Sequence, residues 1–255
     1  MERGGIMIRF VAVVILVIGF LVFSIPVLIA EYGIGKKNPQ KKDWQSLAIV
    51  KWIFRIVLKV TRTNVTVKGL ENIPKDQAVL YVGNHRSYFD ILVGYTTVPG
   101  LTGFVAKKEM ERYPLLSDWM RNVHCLFLDR QNMKEGLKTI LAGIEKVKQG
   151  ISIWIFPEGT RNRTEDLLEM LPFKEGSLKI AEKSGCPVIP VALTGTAEIF
   201  EKQFPKIRTS HVTIEFGKPF IIKELDPESR KFAGAYTRDR IREMLVREKE
   251  QREHS

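Results

Sequence analysis

The sequence predicts an α/β domain in which helices cover a central, mostly parallel or mixed sheet, preceded by two helices that associate with a membrane. Three observations carry this reading. From Asn64 onward, short β-branched and aromatic runs alternate with segments of helical periodicity, the pattern of a sheet layered with helices. Phe10–Ala30 is a run of 21 residues without a charge. The 255-residue chain carries a net charge of +11, and residues 1–70 hold eleven basic against three acidic side chains, a local net of +8.

The apolar run is long enough to cross a hydrocarbon core of about 30 Å. Ala30-Glu31-Tyr32 does not fit the small-x-small site of a cleaved signal peptide. Pro26 pushes Ile25 away from helical dihedrals, so the clean helix is expected over Phe10–Ser24. At about 1.5 Å per residue that helix reaches roughly 22 Å, which leaves both a full crossing and partial insertion open. Lys36, Lys37, Lys41 and Lys42 follow and hold the chain beyond them on the cytoplasmic side of a cell membrane.

Asp43 is the expected N-cap of a second helix over residues 44–60. Lys51, Arg55 and Lys59 recur every four residues, Arg62 comes next, and Trp52 sits among aliphatic neighbours. A basic stripe on a wide apolar face predicts a helix lying in the lipid interface, with Lys51, Trp52, Arg55, Lys59 and Arg62 on the bilayer and anionic lipid as partner. A solvated charged stripe on a helix buried against the domain is the alternative. Residues 1–62 are therefore read as the membrane element and 63–255 as the α/β domain.

Within that domain, strands are expected at Asn64–Lys68, Ala78–Val82, Gly103–Ala106, Val123–Leu128, Ile151–Phe156, Pro187–Leu193 and His211–Phe216. Helices are expected at Phe89–Val98, at Met133–Gln149 closed by Gly150, and at Ser177–Ser184 closed by Gly185. Thr237–Glu253 reads as a charged terminal helix. Pro190 inside an apolar strand implies an edge, a bulge or a special local geometry.

The excess of positive charge points to an anionic partner: nucleic acid, acidic lipid or a phosphorylated substrate. Nucleic acid fits poorly, because the charge sits beside the apolar N-terminal segment and no aromatic-basic recognition motif occurs. Cys125 and Cys186 lie in apolar surroundings and read as two buried thiols in a reduced compartment. His85 and His124 are isolated, and no His-Glu-x-x-His or paired-cysteine spacing is present, so neither a metal nor another cofactor is expected.

Four stretches carry chemistry. His85 follows a strand and precedes a helix, with Asp90 about one helical turn on. A carboxylate at that reach can hold one imidazole nitrogen and leave the other free as a base. Leu126-Phe127-Leu128-Asp129-Arg130 ends a strand in a cation. Phe156-Pro157-Glu158-Gly159-Thr160-Arg161 ends another with a carboxylate, a glycine and a guanidinium. The fourth is the strand around Pro190. If the strand ends converge, His85, Asp90, Arg130, Glu158 and Arg161 line one cleft, and paired guanidiniums suit a phosphate. Pairing of Arg130 with Asp129, and a plain turn at Pro157–Thr160, remain open. No Gly-x-Ser-x-Gly elbow occurs.

Together these four blocks resemble those of the glycerolipid acyltransferase family, and within it the 1-acylglycerol-3-phosphate acyltransferases. The likeness covers about residues 78–195. It comprises His-x4-Asp at His85–Asp90, an apolar run closing in Asp-Arg at Arg130, the unbroken Phe156–Arg161 block and the proline-containing strand. Asn162 stands where the family often has serine. The resemblance implies acyl transfer from a thioester of coenzyme A or acyl carrier protein to the free hydroxyl of a lysophospholipid, giving phosphatidic acid. It implies His85 as general base and Asp90 as its orienter. Arg130, Glu158, Gly159, Thr160 and Arg161 would position the glycerol phosphate. Lys107 is a further phosphate contact or a surface lysine. Another acceptor, such as glycerol 3-phosphate or a different lyso-lipid, and a membrane-bound thioesterase using the same pair are the alternatives.

Overall fold

Five strands running in one direction set the geometry of the molecule. The structure is a computed structural model that describes residues 2–253, with side chains from Met7 on; the charges counted above at Glu2 and Arg3 lie outside the described side chains. Its strands are β1 (Asn64–Lys68), β2 (Leu80–Gly83), β3 (Thr102–Lys107), β4 (Leu126–Leu128), β5 (Ser152–Ile155), β6 (Val188–Thr194) and β7 (His211–Phe216). They form one seven-stranded sheet in the order β1-β7-β6-β2-β5-β3-β4. β6, β2, β5, β3 and β4 are mutually parallel; β7 is antiparallel to β6, and β1 is parallel to β7. The expected α/β class is the observed one. Parallel strands must be joined by crossovers, which the helices supply.

The helices are α1 (Glu2–Phe23), α2 (Ile25–Lys37), α3 (Pro39–Val60), α4 (Phe89–Thr97), α5 (Leu116–Asn122), α6 (Met133–Lys148), α7 (Lys179–Ser184), α8 (Pro227–Lys231) and α9 (Ala233–Glu253). Residues alternate along β2: Val79 and Tyr81 join the core that takes in α3 and α4, while Leu80 and Val82 join the core under α6, α7 and α9. Both faces of the sheet are thus covered, as parallel sheets require.

Pro190 sits in β6, an interior strand, and the geometry there is special. β7 ends at Phe216, and pairing beside β6 resumes only at the Val188–Phe220 bridge. Pro190 O accepts from Gly217 N at 2.8 Å in that break. The donor that proline lacks falls where the ladder is already interrupted.

The N-terminal helices depart from expectation in two ways. The chain breaks at Ser24, and α1 and α2 meet at 47°, but Ile25, expected to leave the helical region before Pro26, is the first residue of α2. No single described helix is long and apolar enough to cross a membrane; α1 from Met7 and α2 meet that test only as a bent pair. The second departure is α3, which starts at Pro39 with Asn38 as its cap, the side chain accepting from Lys41 N at 2.9 Å. Asp43, the expected cap, instead faces His124. Far from standing apart as an interfacial helix, α3 sends Leu47, Val50, Val57 and Leu58 into the core shared with Tyr81 and Trp154. Lys51 is half-buried and donates to Val98 O at 2.6 Å at the end of α4. Of the expected basic stripe, Arg55, Lys59 and Arg62 remain exposed, with Trp52 beside them. The physical reason is width: α3 carries more apolar surface than one face can hold, and the sheet takes part of it.

α1 also docks on the domain. Phe10 stacks on Phe200 at 5.8 Å, Phe20 meets Trp119 at 5.3 Å, and Trp119 Nε1 donates to Ser24 Oγ at 2.8 Å. Its other side is bare: Ile8, Ile15, Ile18, Val22 and Phe23 are exposed, and Ile25, Ile29 and Tyr32 continue that surface along α2. Cys125 and Cys186 are free thiols.

Candidate active site

Because five strands run in parallel, their carboxyl ends share one edge, where ligands of α/β sheets bind. His85 follows β2, Lys107 closes β3, Arg130 follows β4 and the 156–161 turn follows β5. Asn84 locks the first of these turns. Its buried amide donates to Leu193 O at 3.0 Å and accepts from Leu193 N at 2.8 Å, joining the end of β2 to β6.

Asp90, in the first turn of α4, is fully buried. Its Oδ2 accepts three hydrogen bonds, each 2.8 Å, from His85 Nδ1 and from the backbone N–H groups of Arg86 and Ser87. A carboxylate is an acceptor only, so the imidazole proton is on Nδ1 and the Nε2 lone pair is free. The Phe156 ring stacks on the imidazole at 4.1 Å and 11°. Gly83 makes room for that ring: a Cβ there would lie 3.3 Å from Phe156. Two independent contacts therefore fix the plane and the tautomer of His85.

Glu158 is buried and holds backbone. Its Oε1 accepts from His85 N at 2.8 Å and its Oε2 from Leu171 N at 3.1 Å. Burial raises the pKa of this carboxyl, and the two N–H donors oppose the rise. Asn162 N donates to His85 O at 2.7 Å, so the turn after β5 grips the histidine on both sides.

Arg161 lies over the Tyr88 ring at 3.7 Å, donates to Tyr88 Oη at 3.1 Å and pairs with Glu201 Oε1 at 3.2 Å. The same Glu201 oxygen accepts Tyr88 N at 2.8 Å, while its Oε2 is buried without a partner among the described residues. Arg86 is buried and donates to the carbonyls of Thr164 and Asp166, pinning the loop beyond the turn.

Arg130 does not pair with Asp129, whose Oδ1 accepts from Gln131 N and Asn132 N. Its Nη1 reaches to 3.7 Å from the point a Cβ would occupy on Gly159, which has φ +76°. Partial burial lowers the pKa of its guanidinium, with the Glu109 charge opposing. Thr160 and Lys107 are exposed; the register pairs Lys107 with Leu128, two residues before Arg130, on the same edge. The structure thus joins His85, Asp90, Glu158, Gly159, Arg161 and Arg130 around one turn. Sequence reasoning missed Tyr88 and Lys174, in and between the motifs, and Glu201, beyond the last of them, and it gave Asn162 no role; none of the four has a spacing that marks it. Among the described residues no group of three His, Cys, Asp or Glu side chains is placed to hold a metal ion.

Fold and site define an α/β protein that presents a carboxylate-held imidazole among cations at the carboxyl edge of its sheet. A family model described as Acyltransferase matches residues 64–194. The chain belongs to the acyltransferase family. It is 29% identical over 205 residues to a 1-acyl-sn-glycerol-3-phosphate acyltransferase of Saccharomyces cerevisiae, covering 78% of this chain and 65% of that one. It is 32% identical over 180 residues to the protein of that name from Cocos nucifera, covering 69% and 56%. The chain thus spans less than two thirds of the length of these two relatives. Among solved structures, the 1-acyl-sn-glycerophosphate (LPA) acyltransferase PlsC of Thermotoga maritima superposes with a TM-score of 0.82 at 25% identity, covering 98% of each chain.

Proposed function

We propose that the protein transfers a fatty acyl group from an acyl thioester to the free hydroxyl of 1-acylglycerol 3-phosphate, forming phosphatidic acid. The observation that carries this is the 2.8 Å contact between His85 Nδ1 and Asp90 Oδ2; an acceptor-only carboxylate there favours the proton on Nδ1 and leaves Nε2 to accept one. His85 Nε2 takes the hydroxyl proton as the acceptor oxygen attacks the thioester carbonyl. The tetrahedral adduct collapses, the C–S bond breaks, and the imidazolium returns its proton to the departing sulfur. No acyl-enzyme forms. Asp90 stabilises the imidazolium by its charge, Glu158 and Asn162 hold the histidine backbone, and Arg130, Arg161 and the Gly159 turn receive the phosphate, with Lys107 at the rim. Names of relatives and of the matching structure support the acceptor.

The membrane element supplies the substrate. The bare apolar side of α1 and α2 rests in the bilayer, with Arg55, Lys59, Arg62 and Trp52 at its anionic surface, and the domain faces the cytoplasm, where the thioester of coenzyme A or acyl carrier protein arrives. The test is acyl transfer by purified protein in detergent with lysophosphatidic acid and a long-chain acyl-coenzyme A. Wild type and His85→Ala are run side by side, with phosphatidic acid and free fatty acid both measured. His85-dependent phosphatidic acid is expected. Free fatty acid alone would make the protein a thioesterase, and product unaffected by the substitution would remove His85 from the chemistry.

A further inference from the structure

Two cations meet over Gly159, and the motifs account for only one of them. The Lys174 ammonium lies 3.2 Å from the point where a Gly159 Cβ would sit, and Arg130 Nη1 lies 3.7 Å from the same point. The two nitrogens are therefore at most about 7 Å apart, within one Debye length (~8 Å) at physiological ionic strength. Neither forms an ion pair or side-chain hydrogen bond among the described residues. Two cations converging on one glycine, neither engaged by a carboxylate side chain of its own, leave donors free for an anion between them. The lysine is not there by accident of a loose loop. Its backbone N–H donates to Pro157 O at 3.2 Å, Leu171 N is held by Glu158 Oε2, and Phe173 between them is buried. Glu158 thus anchors the His85 backbone with one oxygen and the Lys174 segment with the other. Arg161, by contrast, already has a carboxylate in Glu201. Gly159 has no side chain to fill the space between the two cations, and its positive φ disfavours one.

Building on the function proposed above, we propose that Lys174 is a further binding residue for the acceptor: with Arg130 it forms the primary clamp on the phosphate monoester, closing over Gly159. A planar guanidinium from one side and a point ammonium from the other can together neutralise a dianion, and each supplies donors to separate phosphate oxygens.

The test measures initial rates for wild type, Lys174→Met and Lys174→Arg, varying the acceptor and the acyl-coenzyme A in turn. Lys174 is exposed, and equal melting temperatures confirm intact folds. The expected result is an acceptor KM for lysophosphatidic acid raised tenfold or more in Lys174→Met, largely restored by Lys174→Arg, with kcat within about threefold and unchanged kinetics on 1-monoacylglycerol, which lacks the phosphate. An unchanged acceptor KM, or an equal loss on both acceptors, would overturn the proposal. A rise confined to the acyl-coenzyme A KM would assign the clamp to the donor's phosphates and overturn it equally. If wild type turns over no lysophosphatidic acid, the proposed function fails, and calorimetric titration with glycerol 3-phosphate still decides the clamp. Binding weakened tenfold or more in Lys174→Met supports it; equal binding, or none to wild type, overturns it.

Discussion

Arg161 is already paired: its Nη1 lies 3.2 Å from Glu201 Oε1, the same oxygen that accepts the backbone N–H of Tyr88. A phosphate entering this site competes with a carboxylate for the guanidinium. Glu201 stands next to Phe200, which stacks on Phe10 of α1, so the residue that occupies Arg161 is borne by the loop that touches the N-terminal helix.

Glu201→Gln keeps an acceptor for Tyr88 N but removes the charge facing Arg161. The acceptor KM should fall severalfold as the guanidinium is freed, and Arg161→Ala should raise it on the phosphate-bearing acceptor alone. Steady-state kinetics on lysophosphatidic acid and 1-monoacylglycerol check both. Loss of kcat with unchanged KM in either variant would make Arg161 a purely structural residue.

Asp90 carries position and charge at once, and two substitutions separate them. Asp90→Asn can still present an oxygen to the three donors that converge on Oδ2. Asp90→Ala leaves the Arg86 and Ser87 N–H groups buried and unpaired, at about 1–3 kcal/mol for a lost partner. The alanine variant should therefore melt lower and lose about 10²–10⁴ in kcat, the range for a general base that is no longer oriented. The asparagine variant should keep its melting temperature and lose less. Equal rates in the two would show that charge, not orientation, dominates.

Glu158→Gln tests the two-sided anchor. Glutamine accepts from one backbone N–H but turns an amide N–H toward the other, so either His85 or Leu171 loses its partner. Lower kcat/KM together with a lower melting temperature is expected. Full activity would show that the turn holds His85 without this carboxylate.

A second histidine links stability to pH. His124 Nδ1 accepts from the Lys146 ammonium at 3.1 Å, and Nε2 faces Asp43 Oδ2 at 3.1 Å. Burial first and Lys146 next push its pKa down to about 4, with Asp43 opposing and Lys42 adding to the fall. The folded state favours the neutral ring, whereas the unfolded chain protonates near 6.5. The stabilisation is intact above about pH 6.5 and is lost as pH falls toward 4, at about 1.4 kcal/mol per unit, roughly 3 kcal/mol in all. His124 has φ +61°, which asparagine tolerates. Melting curves of His124→Asn at pH 7 and 4.5 should show a smaller drop than wild type; an equal drop would place the linkage elsewhere.

The N-terminal surface separates binding from folding. Ile15, Phe23 and Ile29 are 65%, 83% and 68% exposed, so changing all three to Asp should leave the melting temperature of detergent-solubilised protein near wild type and cut partition onto anionic vesicles at least tenfold. Lys51→Glu should do the reverse. Burial, with Arg55 adding to it, already lowers the ammonium pKa, and a carboxylate there would face the Val98 carbonyl. Unaltered vesicle binding in the triple variant would detach the bare surface from the membrane.

Local signals carried most of the elements. β1 and β7 fall on the expected residues, and the other expected strands shift by a few at their ends, because each is a short apolar run bounded by turn residues. The bend before Pro26 follows from one residue's missing N–H. α5 and α8 are short and carry no periodicity that a sequence reading could use. The His85–Asp90 pair was legible because both partners lie within six residues, where backbone geometry alone sets the reach.

What the sequence determined by itself, then, was the α/β class, the position of the imidazole and its carboxylate, and the break between α1 and α2. All three rest on interactions within a few residues. Only the tertiary structure decided that α3 belongs to the core, that Glu158 holds backbone, that Arg161 is engaged by Glu201, and that Lys174 meets Arg130 over Gly159. Those contacts join residues between 13 and 73 positions apart. No local pattern encodes them, because they depend on which strand ends the parallel sheet brings to one edge.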